Sequence, residues 1–462
     1  MFETLESRTL LSAAPAATGE LSPHRVVSGA TLARRHAASN LLKVSSNGRY
    51  LTYADGAPFF YMADTAWELF NRLTLKGADQ YLCTRAAQGF TVIQAEINAR
   101  FGSGANGAPF IGNDVTRPNA SFFRFVDAVV AKANSLGMYV ALVPLDSTWS
   151  QNGIFNKNNT YQFGRFLGAR YANAKIIWVL GGDVPGNGGG GLDMWRNLAG
   201  GIARGAANRD QSKVLITYHP SYNQSSSQWF GNESWLDFNA VQSGHSLNRD
   251  NYNLIASDYG KRPTRPVIDI EGAYEDIPAG IKAGNPRLTD YDVRKAAYWS
   301  VFAGSLGVTY GNNNVWQFVT TPNSRNLANK SWQAALASPG VASLQGLKRL
   351  MLARPFLNRV PDQSLIVGSA LSGTDHIQAT RAGDGSNAFV YSAGGKPVTV
   401  NLSKLSGTQI EARWYNPRRP RSSIYLGVFA KGGNRTFKPP TGGTNNDWVL
   451  VLDDASKRYG RP

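Results

Sequence analysis

The chain has 462 residues, 42% of them hydrophobic and 11% aromatic, with a formal net charge of +17. That length suits two domains better than one core, and the composition excludes a disordered or fibrous chain. No run approaches the ~20 apolar residues of a membrane-spanning helix, and a single cysteine, Cys83, excludes an internal disulfide.

Cys83 falls in a helix-like segment and is expected to be a buried, inert thiol. The positive charge could draw nucleic acid, an anionic surface or an acidic polysaccharide such as pectin. Its carriers are scattered, however, and the densest cluster is Arg413, Arg418, Arg419 and Arg421. A diffuse solvated surface is expected, with no nucleic-acid partner. Residues 1–40 are rich in Ala, Ser and Arg and are expected to form a disordered leader. Within them LESRTLLSA resembles a short N-terminal motif of large exported or surface proteins of some bacteria, chiefly planctomycetes. An exported protein is therefore expected.

From Leu51 onward strand-like and helix-like segments alternate. Ala57–Ala63 reads as a buried strand, followed by a helical stretch through Trp67 and Leu69. A helix is expected over Ala78–Ala87, a strand over Phe90–Ala95 and a helix over Phe122–Leu136. Met138–Pro144 is the third strand, Tyr161–Tyr171 a helix and Lys175–Leu180 the fourth strand. After a helix between Leu192 and Ala207 come weaker strands at Val214–Tyr218 and Phe238–Gln242. Pro266–Ile270 is the seventh strand, Asp292–Ser305 a helix and Gly307–Tyr310 the eighth strand. Apolar strands alternating with amphipathic helices indicate a parallel sheet buried on both faces, and eight such units predict an α/β (β/α)8 TIM barrel over 41–354. After a helix around Ser343–Leu352 the pattern changes near Pro355. Short strands at Ala388–Tyr391, Val398–Leu402, Ile410–Tyr415 and Trp448–Leu452, set between Gly, Pro and Asn turns, predict a β-sandwich over 355–462.

Catalytic groups of such a barrel project from the C-terminal strand ends. Those positions hold Asp64 and Trp67, then Gln94 and Glu96, then Asp146 and Trp149, then Gly181, Gly182 and Asp183. Next come Tyr218 and His219, then Gln242 and His245, then Glu271 with Tyr274 and Glu275, and last Tyr310, Asn312 and Trp316. Carboxylates, amides, imidazoles and aromatic platforms together suit a sugar. Glycoside hydrolysis needs two carboxyls flanking the bond; Asp183 and Glu271, after the fourth and seventh strands, would face each other across the barrel mouth. A large clan of retaining barrel glycosidases takes its acid/base and nucleophile from these two strands. That clan usually carries Asn-Glu after the fourth strand, where this chain has Gly-Gly-Asp.

Plainer readings stand beside these. Asp183 could be a turn residue and Asp64 a helix N-cap. Glu275 is the rival nucleophile, and Asp269 would anchor a buried network. His219 and His245 are expected to bind hydroxyls, since no spaced ligand set indicates a metal; no cofactor is expected. Trp67, Trp149 and Trp316 are the stacking candidates, and the remaining expected sugar contacts are Gln94, Tyr218, Gln242 and Tyr310. The GNGGGG run at Gly186–Gly191 lacks the Lys-Ser/Thr of a phosphate loop and reads as a mobile loop beside Asp183.

The stretches FFYMADTAW, GFTVIQAE, IIWVLGGDVPG, RPVIDIEGAYED and AAYWSVFAGSLGVTYGNNNVWQF resemble the apiosidase-like family of glycoside hydrolases. The tail, from ARPFLNRVPDQSLI through ARWYNP to DWVLVLDD, resembles the companion domain that carries a collagen-binding label. Together the resemblance covers about residues 41–454. It implies Asp183 as acid/base, Glu271 as nucleophile and Asp64 as a sugar-binding residue. It also implies exo-type removal of apiose-linked sugars from a complex pectin. Such chemistry needs the proton affinities of the two carboxyls held apart. The contrasting expectation is a surface protein that binds glycan or matrix without turnover.

Overall fold

The computed structural model describes residues 41–98, 104–145, 147–208, 210–322 and 327–462. The expected leader, residues 1–40, and Asp146 lie outside that set.

Eight parallel strands form the first domain: β1 (Tyr61–Thr65), β2 (Val92–Glu96), β3 (Tyr139–Val143), β4 (Ile176–Gly181), β5 (Ile216–His219), β6 (Asn239–Gln242), β7 (Val267–Glu271) and β8 (Gly307–Asn312). All but one of their residues are buried, as strands covered by helices outside and by one another inside must be. Hydrogen-bonded ladders run in the order β8-β1-β2-β3-β4-β5, and β6 pairs with β7. The two remaining seams are bridged where strands begin. Asp237 N–H donates to Ile216 O at 2.9 Å, and Leu306 N–H donates to Val267 O at 2.8 Å. The ring is a TIM barrel.

All eight expected strands are present, shifted by a residue or two. The first expected strand is divided: Pro58–Phe59 joins an antiparallel patch with Lys43–Val44 and Leu51–Thr52, and β1 starts at Tyr61. The main helices are α1 (Leu75–Ala87), α2 (Ala120–Ser135), α3 (Thr160–Arg170), α4 (Leu192–Ala207), α5 (Asn251–Tyr259), α6 (Asp290–Phe302) and α7 (Gly340–Leu352). Cys83 on α1 is only half-buried, contrary to expectation, because it sits toward the solvent side beside Asp79.

The C-terminal domain is antiparallel, with β9 (Arg359–Pro361), β10 (Ile377–Ala382), β11 (Asn387–Ser392), β12 (Val398–Asn401), β13 (Gln409–Tyr415), β14 (Ser423–Ala430), β15 (Asn434–Phe437) and β16 (Trp448–Asp454). Six strands, ordered β9-β10-β11-β16-β13-β14, form one sheet, and β12 and β15 form a two-stranded ribbon. Strand alternation sends the two faces of the large sheet to different cores. Ala388, Val390, Leu450, Leu452 and Trp414 pack in a core of their own with Val398, Val400 and Phe437 of the ribbon. Phe389, Tyr391, Val449, Val451 and Tyr415 belong to the core of the barrel. This explains why β16 reads as an unbroken apolar run.

The sheet docks chiefly on α6, of which ten of thirteen residues are buried. Tyr298 stacks on Tyr391 with ring centroids 4.8 Å apart. Beside them Asp447 accepts from Arg294 Nε and Nη2 at 2.8 and 3.0 Å and from the Tyr391 hydroxyl at 3.0 Å. Both charged side chains are fully buried. Asp447→Ala would leave Arg294 without its main counter-charge, so urea unfolding should show a loss of ~3–5 kcal/mol.

At the start of β6 burial pushes the Asp237 carboxyl up to about 7, although it accepts from Ile216 N–H at 2.7 Å and lies near Arg265. The folded chain therefore holds this proton more tightly than the unfolded one. The stability it confers is full below pH ~4 and is lost as pH rises through about 7. Asp237→Asn keeps an acceptor for Ile216 without the charge. It should add up to ~4 kcal/mol at pH 8 and little at pH 4 in denaturant titrations.

Candidate active site

At the C-terminal ends of the strands a cavity of about 610 Å³ opens, and both Asp183 and Glu271 line it. The chain leaves β4 through two left-handed residues, Gly181 (φ 76°) and Asp183 (φ 60°). Glycine is required at 181, because a Cβ there would lie 2.5 Å from His219 O. A left-handed aspartate is an uncommon, mildly strained conformation of the kind that collects at functional sites. Two contacts from β5 hold it: Tyr218 donates its hydroxyl to Val184 O at 2.8 Å, and Asp183 N–H donates to His219 Nδ1 at 3.1 Å.

Glu271 ends β7. A register shift between Val241 and Gln242 of β6 brings Gln242 opposite Glu271, a bulge that aims both side chains into the mouth. His245 Nε2 lies 3.1 Å from Glu271 Oε1, and His219 Nε2 lies 3.0 Å from Oε2. Burial alone would raise the affinity of this carboxyl for a proton. The two imidazoles outweigh burial and hold it well below the usual carboxylate range, so Glu271 is ionised at neutral pH. His219 thus touches the backbone of one carboxylate residue and the side chain of the other.

Trp67, Gln242, His245 and Trp316 also line the cavity, as their strand-end positions predict. Gln242 Oε1 is buried with no donor among the described residues, an acceptor open to a ligand hydroxyl. Six other expected residues do not line it. Asp64 is fully buried, paired with Arg85 at 2.7 Å and accepting from the Tyr81 hydroxyl at 2.5 Å, so it anchors α1 to β1 rather than binding sugar. Tyr218 and Tyr310 are fully buried; the hydroxyl of Tyr310 is spent on Glu275 Oε2 at 2.6 Å. Gln94 is buried with its Nε2 3.4 Å from Ile270 O, and Trp149 packs against Phe110 and Phe155. His219 is fully buried, with its two ring nitrogens beside the Asp183 N–H and the Glu271 carboxylate.

The rival Glu275 is also tied down, accepting from Gly340 N–H at the start of α7 as well as from Tyr310. Asp269 accepts from Ser243 Oγ at 2.6 Å and Asn251 Nδ2 at 3.0 Å, a buried network as its sequence position predicts. Among the described residues no three His, Cys, Asp or Glu side chains gather as a metal-ligand set, and no helix is long and apolar enough to cross a membrane.

The strand-end rule missed Tyr222, Ile277, Ile281 and Asn313, all of which line the cavity. They lie in loops, where no periodicity marks direction. Tyr222, half exposed, is seated against Gly244, whose Cβ would fall 2.3 Å from its ring. The one legible signal was the isolated Gly244 just after β6.

The family model described as "Apiosidase-like, catalytic domain" matches residues 45–358. A second, "Putative collagen-binding domain of a collagenase", matches residues 360–453. A solved structure described as a glycoside hydrolase shares 34% identity and a TM-score of 0.85, covering 91% of this chain and 98% of that one. A glycoside hydrolase family 5 structure from Bacteroides vulgatus shares 33% identity and a TM-score of 0.84, covering 91% and 95%. No curated protein sequence matches the chain. With a catalytic-domain match over most of its length and two solved relatives covering nine-tenths of it, the chain belongs to the apiosidase-like glycoside hydrolases.

Proposed function

We propose that the enzyme is a retaining exo-glycosidase that works by double displacement, with Glu271 as nucleophile and Asp183 as acid/base. The observation that carries this reading is the shared cavity: both carboxyls line it, and two imidazole nitrogens lie 3.1 and 3.0 Å from the oxygens of one. In the first step Glu271 attacks the anomeric carbon while Asp183 gives its proton to the departing oxygen. The glycosyl ester then reacts with water, Asp183 recovers a proton, and Glu271 leaves as carboxylate.

A volume of about 610 Å³ suits a chain end of roughly disaccharide size better than a long glycan. Trp67, Trp316 and Tyr222 offer ring faces or edges, and Gln242 and Asn313 offer polar atoms. The family resemblance favours an apiose-linked sugar of pectin as substrate, and the net charge of +17 suits an acidic glycan. Pectin lies outside bacterial cells, so this reading carries export with it.

Digestion of apiose-bearing pectic oligosaccharides, followed at once by proton NMR, tests the proposal. Release of a terminal sugar with its anomeric configuration kept supports it; inversion overturns it. Gly244→Ala should push Tyr222 out of the wall, raising KM ~10-fold with kcat little changed.

A further inference from the structure

Glu271 receives two histidines, yet their surroundings differ. Nδ1 of His219 faces the N–H of Asp183 at 3.1 Å. The direction of a backbone proton is fixed by the peptide plane, so a proton on Nδ1 would meet it head-on. Pro220 O also lies 3.0 Å from this nitrogen, but turning Nδ1–H toward it would leave the Asp183 amide without an acceptor there. Nδ1 is therefore bare, and the single proton sits on Nε2, the nitrogen beside Glu271 Oε2.

Among the described residues no backbone N–H donates to a ring nitrogen of His245. Its Nδ1 lies 2.8 Å from Gly272 O and its Nε2 3.1 Å from Glu271 Oε1. A carbonyl oxygen and a carboxylate oxygen only accept, so both nitrogens of His245 must donate. The aromatic neighbours agree. Tyr274 lies against His245 with centroids 4.2 Å apart, a π surface that favours a cation, whereas Trp67 meets His219 edge-on at 5.5 Å.

We propose that Glu271 is held between one neutral and one charged imidazole: His219 as the Nε2–H tautomer, fixed by the Asp183 amide, and His245 as an imidazolium. The charged groups that share this environment are Asp183, which lines the same cavity, and Asp269, two residues earlier on β7. The two histidines then have separate tasks. His219 is a positioning residue that couples the turn after β4 to the carboxylate of β7. His245 supplies the charge that stabilises Glu271 when the glycosyl ester breaks. The catalytic consequence rests on Glu271 being the nucleophile; the placement of protons does not.

Nitrogen-15 NMR of the histidine-labelled full chain at neutral pH reads that placement directly, with His219→Gln and His245→Gln variants assigning the signals. The expected spectrum has one bare and one protonated nitrogen for His219, and two protonated nitrogens for His245. A doubly protonated His219, or a bare nitrogen on His245, overturns the proposal. Should either variant fail to fold, Glu271→Gln serves instead, since it removes the charge and keeps the shape. It should cost the doubly protonated ring one proton and leave the other ring unchanged; if neither ring changes, the proposal falls. In His245→Gln the acid limb of the activity profile should also move to higher pH, a change that a merely structural role would not produce. A retaining mechanism that failed its own test would leave these spectra unaffected.

Discussion

Glu271→Gln should lose activity by ~10⁴-fold or more on every substrate, activated or not, because its neighbouring carboxylates among the described residues are held elsewhere. Glu275, four residues on, is held by Tyr310 and Gly340, and burial raises its affinity for a proton. Asp269 is occupied by Ser243 and Asn251. The amide should still fit between His219 and His245, so the folded variant should bind the substrate it cannot cleave. Steady-state rates on a natural glycan and on an aryl glycoside check this together. A residual rate within tenfold of the native enzyme on either substrate would remove Glu271 from the reaction.

Asp183→Asn should behave differently, because its contribution depends on what leaves. With a natural sugar alcohol as leaving group the lost protonation should lower kcat/KM by ~10²–10⁴-fold. With dinitrophenolate, which departs without a proton, the first step should be nearly unimpaired. The second step still lacks a base for water, so the glycosyl-enzyme should accumulate after a burst. Azide, a nucleophile that needs no deprotonation, should restore turnover and yield a glycosyl azide of unchanged anomeric configuration. Equal losses on both leaving groups, with no azide rescue, would mean that Asp183 shapes the turn without handling the proton.

The barrel is legible in the sequence because each strand is a short apolar run bounded by a helix of different period, and burial on both faces requires that pattern. Asp183 and Glu271 could be placed in the mouth because a charge just past such a run commonly faces it. The same rule misjudges Asp64. Its partners Tyr81 and Arg85 are one turn apart on α1 and reach back over the strand end. Only their shared helical face, read together with Asp64, would have hinted at it. His219 reads as a hydroxyl contact but lies fully buried beside Glu271, since alternation along β5 cannot say whether a side chain meets solvent or a neighbouring carboxylate. In the C-terminal domain β9, β10, β14 and β15 were missed. β14 is an edge strand whose exposed Ile424, Tyr425 and Val428 break the alternation expected of a half-buried strand.

In double displacement the sugar becomes covalently bonded to Glu271. Intact mass spectrometry after incubation with a 2-deoxy-2-fluoro glycosyl fluoride of the sugar the enzyme releases, followed by peptide mapping, measures this directly. The expected result is one added glycosyl mass, located on the peptide that contains Glu271 and absent from Glu271→Gln. An adduct on another residue, or a fully active enzyme that forms none, would contradict it.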